Sequence, residues 1–480
     1  MFESQVVQFG EWLPDQAALG NSLTAVKNAI PQAASYSSFP GPEAISDAAS
    51  SAVFAGTWGI NKGGAYKLVI GNASKLYSLT NGALSDISKS GGYSVTNWEF
   101  VWWGDRIIAI GNSMVPQYYD VGTSTLFANL PNAPTATCGA VIGDFIVLGG
   151  ASSNAALLKW SGFNNSESWT ISAATQSDEQ ELYGQGNVIK RIVPRGNAGI
   201  IFCERSIRSI TYVGPPLIFR IDVIEEDKGT LAPNAIAWVG SRVFYYGIDG
   251  FYEFNGANST PIGYEKVDRF VRSDMDFTRI TEMRAAIDRK HEMVVWTYPS
   301  LSTGEFRQIF YRWDLGKWGM SDANLETVFD YSSSPVTVEG LDSINANLDQ
   351  IDLSIDSGAL QGGLVSLGGV RASDHKVVTM TATAVPLTAE LETGELTGPS
   401  GMVHKVKGLR PLVDASSTIA IATRENQFAN YEYGAPITAN SIGEMDCLTS
   451  SRYHRFKMVV SSQFRHAQGV EVMFRTGGRR

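Results

Sequence analysis

The chain has 480 residues, 44% of them hydrophobic, 11% aromatic and 18% charged. That is enough apolar material for about three average domains or one large repeat architecture, and too little charge for a disordered polymer. The formal net charge is −10, yet residues 401–480 hold eleven basic and six acidic side chains, which leaves the first 400 residues at −15 and makes the C-terminal region the basic end.

Glycine is abundant, 48 residues against 18 prolines, so the composition points to many tight turns between short strands. No apolar run approaches the ~20 residues of a spanning helix. The opening MFESQVVQFGEW lacks the basic n-region of a secretory signal, so neither export nor membrane insertion is expected. Cys138, Cys203 and Cys447 are odd in number and lack CxxC spacing; they read as small buried hydrophobes of a chain made in a reducing cytoplasm.

In chain order, residues 1–50 form a proline-punctuated arm: Trp12-Leu13-Pro14-Asp15, then Asn28-Ala29-Ile30-Pro31, then Ser38-Phe39-Pro40-Gly41. A glycine-bounded apolar strand then recurs, beginning at Gly64, Gly104, Gly143 and Gly240, with weaker copies at Gly196 and Arg289. Each copy is followed by an aromatic-rich strand, such as Gln117-Tyr118-Tyr119-Asp120 or Leu157-Leu158-Lys159-Trp160. A strand-turn-strand unit repeating every ~40–50 residues is the signature of a β-propeller, whose blades cannot bury both faces alone. The fold expected is therefore all-β: a β-propeller of about six blades over residues 51–332, with five or seven also compatible.

One helix is expected near Tyr264–Ser273, from Val267, Phe270 and Val271 at helical spacing. Residues 333–375 lose the blade pattern and read as a linker or edge segment containing Asp342, Asp349, Asp352 and Asp356. From residue 376 to 480 strand patterns return, and this region together with the arm is expected to form an antiparallel β platform outside the propeller.

Catalytic motifs are missing: there is no HExxH, no phosphate-binding GxxxxGK[ST] and no GxSxG, and the five histidines are scattered. Glu225-Glu226-Asp227 and the Asp349 series are the available carboxylate clusters, the latter also a candidate for a hard cation, but both read more simply as solvated turns. Arg452, Arg455, Lys457, Arg465, Arg475, Arg479 and Arg480 could contact phosphates, with Tyr453, Phe456 and Phe464 lying among them. However, His454, Phe456, Met458 and Val460 alternate with them, so Arg455 and Lys457 read as the solvent face of a half-buried strand.

The arm elements in this order, with the Leu348–Asp356 stretch, Arg452-Tyr453-His454-Arg455-Phe456 and His466-Ala467-Gln468-Gly469-Val470 near the end, resemble the tail hub or nozzle proteins of short-tailed bacteriophages. That family includes packaged-DNA stabilisation proteins and tail tubular protein B. The resemblance singles out Trp12, Pro14, Pro31, Phe39, Pro40, Gly41, Arg452, Tyr453, Arg455 and His466 as assembly residues. It implies a non-enzymatic virion tail protein, made in the host cytoplasm, that forms a homo-oligomeric ring, usually of six copies, below the portal and head-tail adaptor. Such a ring passes genomic double-stranded DNA without sequence specificity and carries tail fibres or spikes and a plug or needle; no cofactor or metal is implied. An acidic lumen would keep DNA moving, with the basic C-terminal residues at interfaces or the outer rim. Two other classes remain open: a glycan-binding propeller using Tyr118, Tyr119 and Trp160, and a propeller hydrolase using Glu225 and Asp227.

Overall fold

The computed structural model describes residues 3–17, 22–332, 365–381, 384–397 and 402–477. Six four-stranded antiparallel sheets follow one another along residues 53–86, 98–129, 138–181, 189–226, 236–261 and 284–321, each with its strands in sequence order. The recurring glycine-bounded strand is the second strand of each sheet. Phe145–Gly149 and Met293–Pro299 are buried at every position, because a neighbouring sheet covers each face. Gly143 shows what the repeat encodes. It sits with φ 57° at the first central position of the two-residue turn joining Cys138–Ile142 to Phe145–Gly149, a conformation that favours glycine and matches the twist of a hairpin.

The first strands of successive sheets lie side by side around an axis, and the sheets pack face to face as propeller blades. Among the described residues the blades number seven, one more than the six expected and within the range of five to seven. The seventh comprises Leu325–Ser332, Val365–Arg371 and Lys376–Met380, completed by Pro42–Ala48 from the arm, with Met380 opposite Pro42 and Lys376 opposite Ala48. Its Leu325, Val328 and Val378 pack on Met293, Val295 and Phe310 of the sixth blade. Its Phe329, Val370 and Val377 pack on Val53, Leu68 and Tyr77 of the first, so the ring closes. Glu326 ties the seam: its carboxylate accepts from the Val53 amide at 2.8 Å and lies 2.9 Å from His375 Nδ1.

The expected boundaries shift accordingly. Residues 42–48 and 376–380 belong to the propeller, not to the platform, and Val365–Arg371 is a blade strand, not a linker. Residues 333–364, with Asp342, Asp349, Asp352 and Asp356, lie outside the described residues, as do Arg479 and Arg480.

Two further sheets form the platform. In one, Ala467–Thr476 is flanked by His404–Val413 and by Glu3–Gln8 and Tyr36–Ser38 of the arm; in the other, Tyr453–Val460 lies between Ala389–Thr393 and Ser417–Arg424, with Leu23–Lys27 at the edge. Val406, Leu409, Val470 and Val472 face Leu391, Ile421, Phe456 and Met458 across the interior. This apolar cluster runs on through Trp12, Val26, Ala29 and Tyr36 of the arm into Phe251, Trp296 and Trp318 of the fifth and sixth blades. There Phe251 sits 4.7 Å and 5.0 Å from the two indoles, whose N–H groups donate to the Ala235 and Ile262 carbonyls. The expected helix is present as Asp268–Asp274.

Inside the platform His404 and His454 are buried, and no ring nitrogen of either has a hydrogen-bond partner among the described residues. Burial, reinforced by His404, pushes the His454 imidazole down to about 4. A histidine held neutral when folded but protonated when unfolded contributes stability above the unfolded value near 6.5 and loses it as pH falls towards the folded value. The chain should therefore lose about 2 kcal/mol from this group alone between pH 7 and pH 5. Urea midpoints at both pH values should show a smaller difference for His454→Leu than for the wild type.

Ring closure by Pro42–Ala48 yields a second expectation. Removing residues 1–38 should leave a cooperative propeller unfolding transition, whereas removing residues 1–50 should abolish it, because the seventh blade then loses its outer strand. Thermal melts of the two truncations followed by circular dichroism separate the cases.

Candidate functional site

The arm residues are docking residues. Trp12 is buried and meets the Phe270 ring edge-on at 5.4 Å. Pro14 lies in a turn closed by the Gln16 amide donating to the Leu13 carbonyl. The turn presents Asp15 to the helix Asp268–Asp274, whose N-cap residue, Val267, has no side-chain acceptor. The Asp15 carboxylate accepts from the Arg269 and Phe270 amides, both at 2.8 Å, so a cap that the helix lacks locally comes from ~250 residues away in sequence. Lys266 Nζ pairs with Glu11 at 2.6 Å beside it. Beneath the cap Asp268 is buried with the Phe251 amide as donor at 3.1 Å; burial, with Asp15 and Asp249 nearby, pushes its carboxyl up to about 7.

Asn28 joins three parts of the fold. Its side-chain amide donates to Asp322 Oδ1 at 2.6 Å and to the Thr388 carbonyl at 2.8 Å. Its oxygen accepts from Ser321 Oγ at 2.8 Å and from the Asp322 amide at 3.1 Å. Its backbone N–H donates to Met320 and its carbonyl accepts from Phe39. The sixth blade, the platform and the arm thus meet on one saturated side chain, held at φ 54°, where asparagine is tolerated. Pro31 is buried, its carbonyl accepting from Arg312 at 3.1 Å. Phe39 stacks on Phe310 at 5.2 Å. A Cβ on Gly41 would stand 2.0 Å from the Val385 carbonyl oxygen, so only glycine fits that approach.

In the C-terminal strand, His454, Phe456, Met458 and Val460 are buried and the residues between them are not. The basic side chains are already engaged. Arg455 pairs with Glu392 at 3.2 Å and Glu395 at 3.5 Å, and Lys457 with Glu390 at 3.5 Å. The guanidiniums of Arg455 and Arg424 lie 4.0 Å and 4.7 Å from the Tyr431 ring, and that of Arg424 lies 5.4 Å from the Tyr453 ring. Arg452 is half-buried just before the strand. His466 donates its backbone N–H to Asp414 at 3.0 Å and places Nδ1 3.4 Å from Ser35 Oγ. His466 and Pro40 line one groove of about 490 Å³ between arm and platform; Trp12 and Arg455 are not part of it.

Of the alternative residues, Tyr119 and Trp160 are buried, and Arg106 covers the Tyr118 ring at 4.3 Å. The Glu225 carboxylate accepts from the Ser259 amide of the next blade at 2.8 Å.

One polar cluster was not anticipated. The axis of the propeller holds a cavity of about 370 Å³ lined by first-strand residues of six blades, and a second of about 230 Å³ opens beyond it. Glu99, Arg191 and Asn234 line both and form the constriction between them. Glu99 is buried, pairs with Arg191 Nε at 3.1 Å and accepts from the Gly139 amide at 3.3 Å. Burial pushes its carboxyl up to about 7 against the opposing pull of Arg191. Arg284, also buried, spans the axis: Nε donates to the Phe54 carbonyl at 2.6 Å, Nη1 to Thr281 at 2.8 Å and Nη2 to Asn97 Oδ1 at 3.0 Å. Burial and the like charge of Arg191 push its guanidinium down to about 9. In sequence these residues show only as separate charged or polar side chains near the starts of first strands, such as Glu99 and Arg284, with no spacing that links them. Among the described residues no group of three or more histidine, cysteine or carboxylate side chains could hold a metal ion.

No family model matches the chain, and neither does any curated protein. Among solved structures, the computationally designed Ika8 protein is similar at 10% identity and a TM-score of 0.40, covering 77% of this chain and 99% of its own. BamB from Moraxella catarrhalis is similar at 10% identity and a TM-score of 0.38, covering 74% and 94%.

Asn28→Ala removes four side-chain hydrogen bonds and places a Cβ without local polar compensation at positive φ, and should cost about 3–5 kcal/mol. Asn28→Gly, which relieves only the backbone term, should cost less. Chemical denaturation of both variants measures the order.

Proposed function

We propose that the chain is a structural protein of a short-tailed phage virion, a tail hub or nozzle subunit that assembles with copies of itself into a ring, six in the family it resembles. In that reading the ring hangs below the portal and adaptor, conducts and retains genomic DNA, and carries fibres or spikes and a plug; the protein has no catalytic role and no cofactor.

The observation that carries the reading is the use made of the arm. Several of the arm residues on which the resemblance partly rests lie where arm, platform and propeller meet: Trp12 packs on Phe270, Pro31 accepts from Arg312, Phe39 stacks on Phe310 and Gly41 passes close to Val385. The apolar interior is continuous from platform to propeller. A subunit in a ring that bears the pressure of packaged DNA has to transmit load without internal slippage, and a continuous core with a saturated polar junction at Asn28 suits that task. The charge pattern fits as well. The basic platform strand is matched by Glu390, Glu392 and Glu395, which leaves Arg455 and Lys457 little capacity to bind phosphates and stall DNA.

The purified chain, alone and with the head-tail adaptor, should give a particle mass of several copies in at least one of the two conditions. Light scattering coupled to size exclusion reads it directly. A strict monomer in both would sink the proposal.

A further inference from the structure

The axial cavity carries a charge imbalance that the ring reading does not explain. Three guanidiniums and two carboxylates line it. Arg191 is matched by Glu99 at 3.1 Å, and Arg289 lies 3.8 Å from Asp330. Arg284 has no carboxylate at ion-pair distance among the described residues. Its acceptors are backbone carbonyls and the Asn97 amide oxygen, all neutral. A guanidinium carries five N–H donors, and Nη2 has a single acceptor among the described residues. A buried charge without a counter-charge is costly. The cavity beside it, about 370 Å³, is large enough for a small ion and its water.

We propose that the propeller axis is a binding site for a small oxyanion, of the size of inorganic phosphate or a simple carboxylate, held against Arg284 and Arg191 with Asn234 at the constriction. The anion completes the charge balance of the axis and, by touching residues from several blades, braces the ring from within. The site is independent of whether copies of the chain assemble.

The test uses the full chain. At fixed pH and ionic strength, replacing chloride by phosphate or acetate should raise the melting temperature saturably, by about 2–3 °C at ~100 times the dissociation constant. Isothermal titration with phosphate or acetate should give one ion per chain. Arg284→Met should lose the response but removes donors to three backbone carbonyls and the Asn97 oxygen and so also weakens the fold. Asn97→Asp is the decisive variant: it places a carboxylate on the atom that Arg284 already contacts and supplies the missing counter-charge from within. Asn97→Asp should not respond to either anion, whatever its melting temperature in chloride, since the change also removes the Asn97 Nδ2 donor to Asn234 Oδ1 at 3.2 Å. A wild type that responds to neither anion, or an Asn97→Asp chain that responds like the wild type, overturns the proposal.

Discussion

A blade of this propeller is apolar on both faces, and everything else in the molecule follows from the need to cover the last pair of faces. Second strands buried over most of their length, and at every position in Phe145–Gly149 and Met293–Pro299, leave no solvent side for a sheet to turn outward, so an open row of blades would end in two exposed apolar walls. The ring has to close, and it does so by taking the outer strand of the seventh blade from Pro42–Ala48. The closing strand is continuous with the arm, so the arm is held in place at one end by the propeller and at the other by the platform sheets that its strands extend.

Polar chemistry in the fold divides into two styles. At the arm junction the key polar groups are answered: Asn28 uses both donors and both acceptor sites, and Asp15 answers two orphan amides of a helix, although the buried Trp12 indole N–H has no partner among the described residues. On the platform, three glutamates answer the basic strand. Such arrangements specify geometry and leave little reactivity. The propeller axis is different, with a guanidinium supported by neutral acceptors beside open space, and that contrast separates a site from scaffolding.

Most blades were legible because one tight hairpin recurs: a glycine at positive φ, then a largely buried strand, then an aromatic one. The seventh blade escaped for two physical reasons. Residues 333–364 stand where the other blades have a short turn between first and second strand, so the marker is missing, and the outer strand comes from Pro42–Ala48, whose half-exposed PEAISDA shows no alternation. The platform strand at Tyr453–Val460 was legible from period-two alternation alone. The axial cluster was not, since Glu99, Arg191, Asn234 and Arg284 come from the starts of four different blades and only ring closure brings them together. The arm motifs were visible as motifs, but their partners, Phe270, Asp322 and Phe310, could not be assigned without the fold.

The first described strand, Glu3–Gln8, is hydrogen-bonded along its length to the last, Ala467–Thr476. During synthesis, at ~5–20 residues per second, the early strand waits on the order of half a minute or more for its partner to leave the ribosome. Through that interval the arm presents unpaired strand edges to its surroundings, and an early strand from a second nascent chain can compete for the same partner. The pairing that makes the finished molecule rigid therefore makes its biogenesis the stage at which exchange of strands between copies is easiest.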